Sequence, residues 1–300
     1  MILRRIWLFL FLIQIPTLLQ AQNINRTQLL QDIKFLASKE LEGRKPLTEG
    51  HIKARDYVRH RFDSLGLTSQ YTDHLQYFPL KNHGSEGPSG QGANVIGFIP
   101  GRESARVIVV MAHYDHLGRV GDKIFYGADD NASGTAGLLA LASYFSVHKP
   151  YHSIMFVAVD AEEMGLQGAR ALVKDFPFPL EDVLLNINLD MISRSTQNEL
   201  YAVGTKHHPQ YKPILLEAAQ GADVQLTFGH DEPGTGVEDW TNASDHAAFH
   251  EKDIPFIYFG VEDHEDYHKS TDTFENIDQD FYFGAVNLIL ECVIALDGMI

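Results

Sequence analysis

Among 300 residues there is one cysteine, Cys292. A chain with a single thiol forms no internal disulfide, so its stability has to come from a packed core. Cys292 itself reads as a small apolar residue of a C-terminal helix. The sequence also lacks Pro/Ser-rich linkers, blocks of like charge and internal repeats, and this leaves one globular domain over residues 22–300 as the simplest organisation. Cations are scarce: 24 Lys and Arg face 40 Asp and Glu, for a formal charge of −16. Such a surface argues against nucleic acid and anionic membranes as partners.

Long apolar runs are missing as well. The one near the start, Ile6 to Ile13, is short and is followed by Gln14 and Pro16. A membrane-spanning helix needs about 20 apolar residues. With Arg4 and Arg5 before it and Leu19-Gln20-Ala21 after it, the segment has the layout of a secretory signal peptide over residues 1–21. Export to the periplasm or the medium is the expectation, with no stable membrane association after cleavage. No later segment reads as a membrane span.

What is present is an alternation of strand and helix. Arg26 to Ser38 and His51 to Leu65 carry apolar residues at helical spacing, among them Leu29, Ile33, Leu36 and Ala54, Val58, Phe62. Ser69 to Leu80 is strand-like, and glycines and serines mark Lys81 to Gln91 as a mobile loop. Strands are expected at Asn94–Ile99, Arg106–Ala112, Ser153–Val159, Val183–Leu189, Val224–Phe228 and Pro255–Phe259. Helices are expected at Gly134–Val147, Leu166–Phe176, Tyr211–Gln220, Ser244–Glu251 and Phe281–Leu296. Near-continuous apolar strands alternating with helices define an α/β class: a three-layer sandwich with a mixed, mostly parallel central sheet and helices on both faces.

In such sheets ligands bind at the carboxyl ends of the strands. The chemistry-bearing residues lie there. Arg106–Ala112 runs into His113-Tyr114-Asp115, Ser153–Val159 into Asp160-Ala161-Glu162-Glu163, and Val183–Leu189 into Asp190. Pro255–Phe259 is followed by His264 and His268, and Gly127-Ala128-Asp129-Asp130-Asn131-Ala132-Ser133-Gly134 opens a helix. Singly, each is an ordinary cap or turn; together they make a set of metal donors. A catalytic zinc takes imidazole nitrogen and carboxylate oxygen and keeps a position for water, and a two-metal site needs a bridging carboxylate. His113 and Asp115 share one face of an extended chain, so Asp115 can hold the His113 ring from behind. Of Glu162 and Glu163, one can bind metal while the other serves as general base.

At these residues the sequence resembles the co-catalytic zinc exopeptidases of the secreted bacterial leucine aminopeptidase type, related to glutamate carboxypeptidases. The matching segments are HYDHLG at His113, GADDNASG at Gly127, DAEEMGLQGA at Asp160, NLDM at Asn188, SDHAAF at Ser244 and YHKSTDT at Tyr267, with LASKELEGR at Leu36 before them. The resemblance implies two zinc ions per chain. Asp130 would bridge them, His113 and Asp190 would complete one, and Glu163 and His268 the other. Glu162 would be general base and Asp115 would orient His113. The Asp130–Asn131 peptide bond would be cis, and Tyr267 would lie where it can stabilise an oxyanion or simply face the substrate. His264 competes with His268, and the following Ser270-Thr271-Asp272-Thr273 favours His268. His116 and His246 match no ligand and read as surface or structural residues; Asp129 and Asp245 read as caps or outer-sphere acids.

The implied activity is peptide hydrolysis from the amino terminus. The same scaffold also serves glutaminyl cyclase-like aminoacyl-transferases with one zinc, and a metal-free binding protein is a third reading. Lys45-Pro46-Leu47-Thr48 replaces the family's usual glycine-rich stretch near the substrate entrance, which bears on specificity. Cobalt and manganese also suit His/carboxylate sites.

Overall fold

The computed structural model describes residues 24–81 and 90–300. The leader expected over residues 1–21, and most of the loop expected at 81–91, lie outside these. Among the described residues the strands are β1 (Leu75–Leu80), β2 (Gly90–Ile99), β3 (Glu103–His113), β4 (Gly118–Val120), β5 (Lys123–Phe125), β6 (His152–Val159), β7 (Val183–Leu189), β8 (Glu199–Val203), β9 (Gln225–Thr227) and β10 (Phe256–Gly260). The helices are α1 (Arg26–Leu36), α2 (Glu49–Ser64), α3 (Gly134–Val147), α4 (Gln167–Lys174), α5 (Tyr211–Ala218), α6 (Ala247–His250) and α7 (Gln279–Met299).

Eight strands form one sheet in the order β1-β2-β6-β3-β7-β10-β8-β9, and β4 and β5 make a separate ribbon. β6, β3, β7 and β10 run parallel through the centre. β1, β2 and β8 pair antiparallel beside them. The four central carboxyl ends therefore open on one edge.

Alternation along the strands divides the core. Ile108, Val110 and Ala112 of β3 point to one face, with Ile154, Phe156 and Ala158 of β6 and Leu185, Ile187 and Leu189 of β7. α1, α2, α3 and α7 cover that face through Leu29, Ile33, Phe62, Leu138, Ile289 and their neighbours. Val107, Val109 and Met111 point to the other face and meet α4 and α6 through Ala169, Leu172 and Phe249. Each fully buried Leu, Ile or Phe contributes on the order of 2 kcal/mol.

Several expectations change. Gly90 and Gln91 are not loop but the first residues of β2, paired with Leu80 and Pro79. The helix expected at Ser244–Glu251 shrinks to α6, and only Leu75–Leu80 of the Ser69–Leu80 stretch is strand. α7 is long and apolar enough to cross a membrane, contrary to the sequence reading, but most of it is packed into the core. Its start is fixed by Asp278, whose carboxylate accepts the N–H groups of Asp280 and Phe281, both at 3.0 Å.

Candidate metal centre

β3 ends on His113, which is buried. The chain then leaves the sheet, held by the Tyr114 N–H to Val159 O at 2.9 Å and the Tyr114 hydroxyl to Ala93 O at 2.8 Å. After β6, Asp160 turns away from the cluster: its carboxylate accepts the Ala93 N–H at 2.8 Å and lies 2.7 Å from His51 Nε2. That anchor leaves Glu162 and Glu163 at the sheet edge.

The Ala128–Ser133 turn carries Asp130 and contains the expected cis bond between Asp130 and Asn131. It is fixed from two distant parts of the chain. The Asp272 carboxylate accepts the N–H groups of Asp129 and Asp130 at 2.9 and 3.1 Å. The Asn131 amide donates to Leu189 O and accepts from Gly134 N, both at 2.8 Å, tying the turn to the end of β7. There Asp190 follows, with one oxygen accepting the Ser244 hydroxyl at 2.7 Å. Ser244 in turn accepts the Asn188 amide at 2.9 Å.

The carboxylate of Asp130 is central. His113 Nε2 lies 3.3 Å from both Asp130 Oδ1 and Asp190 Oδ1. His268 Nε2 lies 3.0 Å from Asp130 Oδ2 and 3.5 Å from Glu163 Oε2. Two donors on one tetrahedral zinc, with bonds near 2.1 Å, sit roughly 3.4 Å apart. The donor set and its spacing therefore fit zinc on each side of Asp130. His264, the competing imidazole, lies instead 3.0 Å from Asp129 Oδ2, and Asp129 also accepts from Ser193.

Asp115 does less for the His113 ring than its position promised. Its carboxylate is 3.6 Å from His113 Nδ1, which is closer to the Asp115 carbonyl at 3.2 Å. The same carboxylate accepts the Glu162 N–H at 3.1 Å and so positions Glu162.

Electrostatics follow from burial and crowding. Burial alone would push Asp130 up, but His116, His113 and His268 hold its carboxyl well below the usual range. Burial pulls His113 down, and Asp190, Asp115 and Asp130 outweigh it, so the imidazole is raised well above its ordinary value. Glu162 is raised well above the carboxylate range, by burial and by Asp245, Asp190 and Glu163, against the opposing charge of His113.

Two residues were not legible as site residues. His116, read as surface or structural, is fully buried beside Glu163. Arg44, also fully buried, donates to the carbonyls of Leu36, Tyr114, Tyr126 and Gly127 at 2.6 to 2.9 Å. It knits together the loops bearing His113, His116 and Asp130. Only the location of Arg44 in the EGR stretch hinted at it. His246 is buried and structural, with Nε2 3.0 Å from Trp240 O.

A cavity of about 420 Å³ opens over the cluster. Leu166, Met191, Trp240, Tyr258 and Tyr267 line it, as do Glu162 and Asp263.

This α/β sandwich, with imidazoles and carboxylates gathered at the carboxyl edge of its sheet, has the fold of the zinc-dependent exopeptidases. The chain belongs to Peptidase family M28, whose sequence profile matches residues 94–293. It is 30% identical to the aminopeptidase YwaD of Bacillus subtilis, over 77% of this chain and 49% of that one. It is 36% identical to a probable zinc metalloprotease of Pyricularia oryzae, over 35% of this chain and 22% of that one. The chain thus spans half or less of the length of these curated relatives. Among solved structures, the Bacillus subtilis zinc aminopeptidase BSAP superposes with a TM-score of 0.72 at 18% identity, covering 90% of this chain and 94% of that one. A glutaminyl cyclase of Bacteroides thetaiotaomicron bound to N-acetylhistamine gives 0.72 at 17% identity, covering 91% and 99%. The shared fold therefore does not choose between the two chemistries.

Proposed function

We propose that this chain is a dinuclear zinc exopeptidase, an exported aminopeptidase acting on peptides. The observation that carries the proposal is the two-sided Asp130 carboxylate, with His113 3.3 Å from one oxygen and His268 3.0 Å from the other. In this reading His113, Asp130 and Asp190 hold one ion, and Asp130, Glu163 and His268 hold the second. When bound, the ions supply Lewis acidity toward the scissile carbonyl and make an attacking water acidic enough to ionise near neutrality.

The rest is the work of side chains. Glu162 accepts the proton of the attacking water and delivers it to the leaving amine; the Asp115 bond to its backbone fixes its location. Tyr267 lines the cavity beside His268, with ring centroids 4.0 Å apart, and its hydroxyl is the donor this reading assigns to a developing oxyanion. The Glu162 and Asp263 carboxylates of the cavity suit a substrate's free ammonium rather than a free carboxylate. Leu166, Met191, Trp240 and Tyr258 suit an apolar first residue.

A one-zinc aminoacyl-transferase is the rival reading, kept open by the equal superposition on a glutaminyl cyclase. Metal counting on the purified chain, with amino-acid p-nitroanilides, blocked peptides and an N-terminal glutamine peptide assayed with and without chelator, separates them. Two zinc ions and chelator-sensitive release from unblocked substrates are expected. One ion with pyroglutamate formation would replace the peptidase reading.

A further inference from the structure

His116 is left over when the five donors above are assigned. It is fully buried, and among the described residues neither of its ring nitrogens has a hydrogen-bond partner. Buried polar groups are almost always satisfied, so an unpartnered imidazole needs a reason. Its Nδ1 lies 2.7 Å from Glu163 Oε1 and 3.7 Å from Asp130 Oδ2. Glu163 Oε1 is also without a hydrogen-bond partner among the described residues. One donor atom each from His116, Asp130 and Glu163 lie within 4.8 Å of one another. These three form a donor set that could hold an ion, with the 2.7 Å ion-pair contact of His116 Nδ1 and Glu163 Oε1 opening toward about 3.4 Å when one ion takes both.

The ring's seat is built for it. Gly127 has φ +57°, and a Cβ there would come 2.5 Å from His116 Cδ2, so the turn before Asp130 gives up its side chain where the imidazole lies. The His116 N–H donates to Arg44 O at 3.3 Å, while the Arg44 guanidinium donates to Gly127 O at 2.9 Å. One buried cation thus holds both walls. The His116 and His268 rings stand 6.0 Å apart, with Glu163 and Asp130 contacting both.

We propose that His116 is a sixth protein ligand of the centre, binding the ion shared by Asp130, Glu163 and His268. The inference rests on the dinuclear reading above and deepens it. That ion then has two imidazoles, and the ion at His113 and Asp190 has one. The two positions are unequal, and the His116 side holds nitrogen-preferring metals such as zinc and cobalt more tightly.

Titration of the metal-free chain with Co²⁺, followed by its visible d–d absorption and by competition with a chromophoric chelator, tests this. The parent chain is expected to bind two equivalents in resolved steps. His116→Ala should weaken one step by more than the roughly 100-fold reached on losing an outer-sphere partner, leave the other step intact, and alter the d–d band of the weakened site. His116→Gln keeps a hydrogen-bond donor for Glu163 but is a poor ligand, so it should behave like the alanine variant. If either variant binds both ions with parental affinity and spectrum, the inference is overturned while the dinuclear reading stands. Should the glutamine variant restore what alanine loses, His116 merely orients Glu163 and the inference is again overturned. Uptake of a single equivalent by the parent chain would remove the dinuclear reading and the inference together. Thermal unfolding of each metal-free variant identifies a folding defect; if alanine has one, the glutamine variant decides.

Discussion

Glu162 and Glu163 are adjacent in sequence, yet their carboxylates face different tasks. Glu163 lies against His116 and His268, whereas the Glu162 backbone is held by Asp115 and its carboxylate lines the cavity. Glu162→Gln should keep the full metal complement and lose about 10³-fold or more in kcat, with KM little changed, as expected for a proton-transfer group. Metal analysis beside steady-state kinetics checks it; full activity in that variant would remove the assigned role. At this scale the sequence was informative wherever a polar residue interrupted an apolar strand end, as at His113, Asp190 and Glu163. It read His116 as surface or structural, because HYDHLG offers two histidines and nothing in spacing alone distinguishes a buried imidazole from an exposed one. Asp115 illustrates the same boundary. Its face was legible, but its tighter partner, the Glu162 N–H, belongs to another strand end.

Among the elements, those with strong periodicity were readable and those shaped by tertiary demands were not. Val183–Leu189 is strand in both readings because its run is mostly apolar, interrupted only by Asn186 and Asn188. β8 was missed: Glu199–Val203 is short, mixed in polarity, and becomes a strand through antiparallel pairing with β10. β4 and β5 were missed too; each has three residues and only its partner for support. Arg44 belongs to this scale because it joins elements. Lysine cannot reproduce a planar fork that serves four carbonyls, and methionine leaves them all bare. Arg44→Lys should lower unfolding stability by about 2 kcal/mol and Arg44→Met by about 4 kcal/mol, with metal affinity falling in parallel. Urea denaturation of the metal-free and zinc-loaded protein gives both numbers. Parental stability in the methionine variant would show that the guanidinium fork is dispensable.

The molecule as a whole was legible as an α/β sandwich because near-continuous apolar strands, buried on both faces, alternate with helices of period 3.6. Its response to acid was not, since that depends on which polar groups end up inside. His246 is buried, and burial pulls its pKa to about 3, below the ordinary 6.5. Above pH 6.5 the ring is neutral in the folded and unfolded chain alike. Below it the unfolded chain takes up a proton that the folded one refuses. Stability is therefore lost as the pH falls from about 6.5 toward 3, by at most about 1.4 kcal/mol per pH unit for one proton. His246→Gln keeps a donor for Trp240 O and removes the titration, so its stability curve should be flatter below pH 6. Parallel curves for the two proteins in chemical denaturation between about pH 6 and 4 would count against this account.

The Asp272 carboxylate that grips the backbone of Asp129 and Asp130 comes from far along the chain. During synthesis, Asp130 is made long before the group that holds its turn in shape, and His268 arrives almost as late. The turn that carries Asp130 therefore lacks its Asp272 grip until a segment about 140 residues later has been made.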